Sequence, residues 1–218
     1  MKSIRLKAVK PAQICLGIFV LVTLFSCNRG YSSWEKNKLV KGIEFEKIRY
    51  GFKDDDTTVI IGYLKANTII EQYPCAADWV HFSKDWKLKL FRLSNKATIN
   101  SFEYCENSWI RFTQDGCVIC VFPEKTIVQG FKCTGGGGSS GISTSFYKSG
   151  RLNYFYSDGD VFVGDILCKG NLLSNIGLHE NGDLKECTLG QDKRINNINY
   201  KKGTRIYFDE AGNVKTIL

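Results

Sequence analysis

The chain alternates short apolar runs with polar turns, and the alternation has a period. The stretch "TSFYKSGRLNYF" (144–155) aligns with "IGLHENGDLKEC" (176–187) as an aromatic or aliphatic residue, three polar residues, Gly, one residue, then Leu. "IRFTQDGCVIC" (110–120) and "IYFDEAGNVKT" (206–216) fit the same template. "VHFSKDWKLKL" (80–90) fits with Trp86 in place of Gly, and "YGFKDDDTTVI" (50–60) is a worn copy with Asp56 there. The anchor column is Phe52, Phe82, Phe112, Phe146, Leu178 and Phe208, at spacings of 30, 30, 34, 32 and 30. A recurring interval of this size is the mark of a repeat architecture.

Two further columns follow each anchor. Cys75, Cys105, Cys133, Cys168 and Tyr200 fall 21 to 23 residues after it, and Ile69, Ile99, Ile127, Phe162 and Ile195 fall 15 to 17 after it. Each unit therefore predicts a strand ending at the anchor, a turn, a second strand, and one or two short strands. The spans 39–45 and 208–218 read as half-units closing the ends. The expected fold is all-β: an elongated stack of about five 30–34-residue hairpin units, as an open sheet or a β-solenoid.

The turn can be specified. Pairing Leu178 with Leu184 puts both on one face and leaves a three-residue loop, Glu180-Asn181-Gly182, with Gly at positive φ as a bulge. Gly116, Gly150 and Gly212 repeat the device; Trp86 and Asp56 depart from it and predict a different turn in those two hairpins. The same alternation puts His179, Asp183 and Lys185 on the outer face. The residues equivalent to His179 are Lys53, Ser83, Thr113, Tyr147 and Asp209, a list no metal ligand position would follow. No metal site and no cofactor are expected there.

The first residues break the pattern. Lys2, Arg5, Lys7 and Lys10 precede an apolar run from Ile14 to Phe25. Twelve residues make about 18 Å of helix, too short for a ~30 Å hydrocarbon core, so the segment reads as an export signal. It ends in Leu24-Phe25-Ser26-Cys27, which resembles the bacterial lipobox; the resemblance implies cleavage before Cys27 and acylation of that residue. The expected organisation is a lipoprotein signal peptide at 1–26, a tether at 27–38 and a β-repeat domain at 39–218.

That cut changes the charge picture. Four of the 30 basic residues and none of the 22 acidic ones lie in the leader, so the processed chain carries +4, half the +8 of the whole. A surplus this small does not support a nucleic-acid partner. Export also implies an oxidising compartment, in which the cysteines beyond Cys15 and Cys27 can pair. Cys168 with Cys187, and Cys105 with Cys120, are the candidate disulfides, because each pairs a column residue with a strand leaving an adjacent hairpin.

Other chemical signals are weaker. Cys117-Val118-Ile119-Cys120 is a CxxC, but it lies on a strand, where residues three apart face opposite sides. "TGGGGSSG" (134–141) lacks the Lys and the following helix of a phosphate loop and reads as a flexible insertion in one connector. No nucleophile-elbow pattern joins Ser, His and Asp. Lys87, Lys89, Arg151, Lys185 and Lys215 form a loose basic stripe on the outer face.

The segments around Phe146, Leu178 and Phe208 resemble the Y-x-x-x-G-x-L core of MORN-like repeats, including the YwqK-type antitoxin group. With the lipobox, the combination is similar to repeat lipoproteins of spirochaetes. The resemblance implies a cell-envelope location, expected as the outer membrane, and no known enzymatic activity. The expected function is a lipid-anchored, non-enzymatic binding module contacting the membrane through its anchor and an unknown protein or glycan ligand. An envelope enzyme with a site on non-repeated residues, or a toxin-neutralising protein, are the alternatives.

Overall fold

A computed structural model describes residues 29–53 and 56–217. The expected leader and Cys27 lie outside the described residues. The described chain is all-β, apart from one 3-10 turn at Gly138–Ser140. Its strands form one 14-stranded antiparallel sheet and five separate two-stranded hairpins. At ~4.8 Å between neighbouring strands, a sheet of this number runs on the order of 60 Å across.

Hairpins of the long sheet follow one another in chain order, each strand pairing with its sequence neighbour in that sheet. Between successive long-sheet hairpins the chain leaves the sheet and makes a small one. These are Thr68–Ile70 with Tyr73–Cys75, Ala97–Ile99 with Phe102–Tyr104, Thr126–Val128 with Phe131–Cys133, Val161–Val163 with Ile166–Cys168, and Lys193–Ile195 with Ile198–Tyr200. The core lies between one face of the sheet and these hairpins. Phe45, Phe82, Phe91, Phe146 and Phe155 from the sheet pack in one buried cluster with Ile70, Tyr104, Val128 and Cys168 from the hairpins.

The anchor residues pair as the turn geometry requires. Phe82 stands opposite Leu88, Phe112 opposite Val118, Phe146 opposite Leu152, Leu178 opposite Leu184 and Phe208 opposite Val214. In the Leu178 hairpin the His179 amide donates to the Asp183 carbonyl at 2.8 Å and the Gly182 amide to the His179 carbonyl at 2.9 Å. Gly182 has φ of 97°, a region where a side chain is strained.

Trp86 corrects one expectation. Its hairpin does not use another turn: the Ser83 amide donates to the Lys87 carbonyl and the Trp86 amide to the Ser83 carbonyl, both at 2.9 Å. Trp86 takes φ of 62°, the position Gly holds elsewhere. Left-handed backbone costs a non-Gly residue about 1–2 kcal/mol. The indole offsets this by packing 5.4 Å from the Phe82 ring and 6.5 Å from Phe45, with Lys41 5.5 Å above it. The Asp56 hairpin does close differently, with Lys53 opposite Asp56 across a two-residue connection.

Three residues of one further column and one of the other give way to a chain neighbour. Ile69, Ile127 and Phe162 are 75, 69 and 57% exposed, while Ile70, Val128 and Val163 are buried beside Ile99. Likewise Tyr104, not Cys105, is the buried partner of Cys75, Cys133, Cys168 and Tyr200. From Arg29 onward, the expected tether is part of the sheet. Arg29–Tyr31 and Glu35–Val40 pair along the free edge of Ile43–Lys53. Their polar sequence suits an edge strand, whose attachment comes from main-chain hydrogen bonds.

Candidate functional site

Strand alternation sends half of the sheet's side chains away from the core, and antiparallel register aligns them in rows. One row runs Arg49, Ile61, His81, Leu90 and Arg111, each opposite the next. It continues through Ile119, Ser145 and Tyr154. A second row, two residues along the strands, contains Lys47, Tyr63 and Trp79, then Arg92, Trp109 and Val121. Neither row contains a carboxylate over these stretches; the first meets one only beyond Tyr154 and Gly177, at Glu186, which pairs with Arg205. Arg92 is neutralised by Asp78 at 2.7 Å. Among the described residues, Lys47, Arg49 and Arg111 form no ion pair.

The N-terminal end of this face is an aromatic cluster threaded by two cations. Trp79 lies 5.6 Å from Trp34 and 5.3 Å from Tyr63, edge-on to the latter at 90°. The Lys47 ammonium sits 4.8 Å from the Trp79 ring, and the Arg49 guanidinium 4.2 Å from Tyr31 and 4.3 Å from Trp34. The buried Arg49 Nε has no hydrogen-bond partner. His81 lies between the two free arginines. Burial lowers its pKa first, and the charges of Arg111 and Arg49 lower it further.

Towards the middle of the sheet the face hollows into a bowl of about 360 Å³. It is lined by Leu90, Trp109, Arg111, Ile119 and Val121 from three adjacent strands, with Trp109 and Arg111 on the middle one, and by Ser143, Tyr154 and the 139–141 segment. Leu90, Trp109 and Val121 form an apolar cluster separate from the main core, with Trp79 packed against it.

The glycine-rich insertion lines the bowl and is held by main-chain hydrogen bonds. The Gly136 amide donates to the Phe122 carbonyl at 2.8 Å, and the Ile142 amide to the Gly136 carbonyl at 3.2 Å. Gly136, Gly137 and Gly138 all have positive φ, and a Cβ on Gly141 would stand 1.9 Å from the Gly136 oxygen. Only glycine fits a backbone approach that close.

The residues singled out from sequence fall elsewhere. His179 is half-buried, and its Nε2 lies 3.1 Å from the Phe208 carbonyl oxygen, a link to the next hairpin. No group of three metal-binding side chains occurs among the described residues. Lys87, Arg151, Lys185 and Lys215 are exposed near the turn end of the sheet, away from the bowl. Cys117 donates to Asp115 at 3.3 Å, and burial with that contact raises its pKa, while Cys120 is fully buried on the other face.

The seven described cysteines are free thiols. Cys168 and Cys187 are both fully buried and neighbour each other in the core. That contact and burial hold the Cys168 thiol well above its usual pKa. Cys105 and Cys120 are separated by Ser108, whose hydroxyl lies 3.1 Å from the Cys105 sulfur and also hydrogen-bonds Cys120.

The links between hairpins escaped the sequence reading. Asn100 donates to the Gly116 carbonyl at 3.0 Å, and Gln129 donates to the Gly150 carbonyl at 2.9 Å while accepting from the Leu152 amide at 3.1 Å. Glu71 accepts from the Leu88 amide at 3.1 Å. All three sit at positive φ in two-residue turns of the small hairpins. Their 29-residue spacing was the available signal.

No protein-family model matches this sequence, and no curated protein or solved structure matches it significantly.

Proposed function

We propose that the chain is a lipid-anchored binding module of a bacterial cell envelope, built as a MORN-like stack of about five hairpin units. In this reading Cys27 carries the acyl chains, the outer membrane holds them, and the outward sheet face binds a protein or glycan ligand without chemical conversion. The stack reading is supported by two columns that recur at matching intervals. Ile70, Ile99, Val128, Val163 and Ile195 recur at 29, 29, 35 and 32 residues, and Cys75, Tyr104, Cys133, Cys168 and Tyr200 recur at the same intervals. Each unit buries its apolar face only against its neighbours, as repeat stacks do.

The observation that carries the binding role is the asymmetry of the two faces. One side of the sheet is sealed by the small hairpins, while the other presents unpaired Arg49 and Arg111 beside an aromatic-walled bowl. Unpaired cations next to apolar concavities are surfaces that gain by contact. Two measurements test the reading. Metabolic labelling with a fatty-acid analogue should mark the wild type and spare Cys27→Ala; equal labelling removes the anchor. Binding to a panel of envelope polysaccharides and extracellular matrix proteins should weaken in Trp109→Ala relative to Leu173→Ala, whose side chain is 95% exposed and outside the bowl. Identical profiles for both variants would remove the face as the binding site.

A further inference from the structure

We propose that the bowl takes a carboxylated sugar residue of an acidic glycan, whose chain continues along the Arg111–His81–Arg49 row. The proposal rests on the binding-module reading above and adds the chemical class of its ligand.

The bowl has the three elements a sugar acid needs. Leu90, Trp109, Ile119 and Val121 give it an apolar lining, on which the C–H face of a pyranose ring can rest. Ser139, Ser140, Ser143 and Tyr154 place hydroxyls around the opposite rim, each able to donate and accept. Arg111 is exposed, lines the bowl and has no carboxylate of its own, and a guanidinium fork matches a carboxylate bidentately. No Asp or Glu lines the cavity.

The row extends that recognition beyond one residue. Arg111 and Arg49 stand four strands apart, ~19 Å, with the uncharged His81 imidazole midway as a hydrogen-bonding group. A chain crossing the strands from the bowl meets a cation at each end of this stretch and no carboxylate.

Two other polymers fit less well. An extended peptide binds a sheet by adding a strand, but these strands are paired on both edges and offer no free main chain. Single-stranded nucleic acid stacks its bases on open rings. Here Tyr63 and Trp79 meet edge-on, Trp34 tilts at 51° against Trp79, and Lys47 covers them. Those rings face each other rather than solvent.

The test is calorimetric titration of the full chain in detergent with a glucuronic-acid tetrasaccharide, its carboxyl-reduced counterpart, and phosphatidylglycerol vesicles. The acidic tetrasaccharide should bind about tenfold or more tighter than the reduced one. Arg111→Gln should erase that preference, Arg111→Lys should restore part of it, and Arg151→Gln should leave it unchanged. Arg111 is exposed, so its replacement leaves the core packing intact. Equal affinity for the acidic and reduced sugars, or no sugar binding up to millimolar concentration, overturns the assignment. So does Arg111-dependent binding to vesicles alone. If the sugars fail while Trp109→Ala still loses a ligand from the wider panel, only the ligand class is wrong. If Trp109→Ala loses nothing there, the site itself is wrong.

Discussion

The phenolic hydroxyl of Tyr147 donates to the main-chain carbonyl of Leu178 at 2.8 Å, joining the turn of one hairpin to the anchor of the next. The same place in the following hairpin belongs to His179, whose ring nitrogen meets the Phe208 carbonyl at 3.1 Å. A histidine beside Glu180, Asp183 and Cys187 thus works as a stitch between hairpins. Removing either group strands a half-buried carbonyl, which costs about 1 kcal/mol. Tyr147→Phe and His179→Phe should each lower stability by that amount in urea unfolding and leave the m-value unchanged. No loss in either variant would reduce these contacts to coincidence.

Trp86 sets two effects against each other. Trp86→Gly relieves left-handed strain of about 1–2 kcal/mol but removes a ring packed on Phe82 and Phe45. Truncating a large aromatic costs about 3–5 kcal/mol when fully buried, and this one is half-buried. Packing wins, and the variant should be destabilised by about 1–2 kcal/mol. A more stable Trp86→Gly would mean that strain dominates the hairpin.

How much of this was legible in the sequence depends on whether a feature is local. Leu178 opposite Leu184 could be read because Gly182 fixes both the loop length and the face. The inward residue of the small hairpins could not. In Thr68-Ile69-Ile70 and Thr126-Ile127-Val128 two β-branched residues stand side by side, and either satisfies alternation. The turn that follows decides: positive φ at Glu71 and Gln72 closes the hairpin tightly after Ile70 and turns Ile69 outward. The outward row was hidden for a different reason. Arg49, His81 and Arg111 belong to separate strands at unequal sequence intervals, and a bulge beside His81 shifts the register between them. Only the pairing of the whole sheet brings them together.

His81 predicts an acid-sensitive stability. Arg49 and Arg111 face it along the row, with Ile61 and Leu90 between, and the row's carboxylate, Glu186, is seven strands from His81 and paired with Arg205. Its folded pKa lies below the unfolded value of about 6.5, so the unfolded chain binds more protons in that interval. Its contribution is therefore fully present above the unfolded pKa. It is lost as pH falls towards the folded pKa. Thermal melts from pH 8 to 5 should show wild type losing more stability than His81→Gln. Parallel pH profiles for the two proteins would refute the assignment.

The buried thiol pair gives the last prediction. Cys168 bridges Leu189 across the strands, and Cys187 lies two residues earlier on the same inward face. The two side chains neighbour each other in the core, and a disulfide between them needs Cα atoms within about 7 Å. An oxidising thiol–disulfide exchange partner can take two electrons and two protons from this pair, closing a loop worth about 3 kcal/mol. Cys105 and Cys120 differ, because the Cys105 sulfur is engaged by the Ser108 hydroxyl at 3.1 Å and is only part-buried. Peptide mapping of exported protein without reductant should recover Cys168 linked to Cys187, with Cys105 and Cys120 alkylated as thiols. Reduction should lower the melting temperature of the wild type and leave Cys187→Ala unchanged. If Cys168 and Cys187 are both alkylated without reduction, they serve only to fill the core between the Ile166–Cys168 hairpin and the strand Leu184–Thr188.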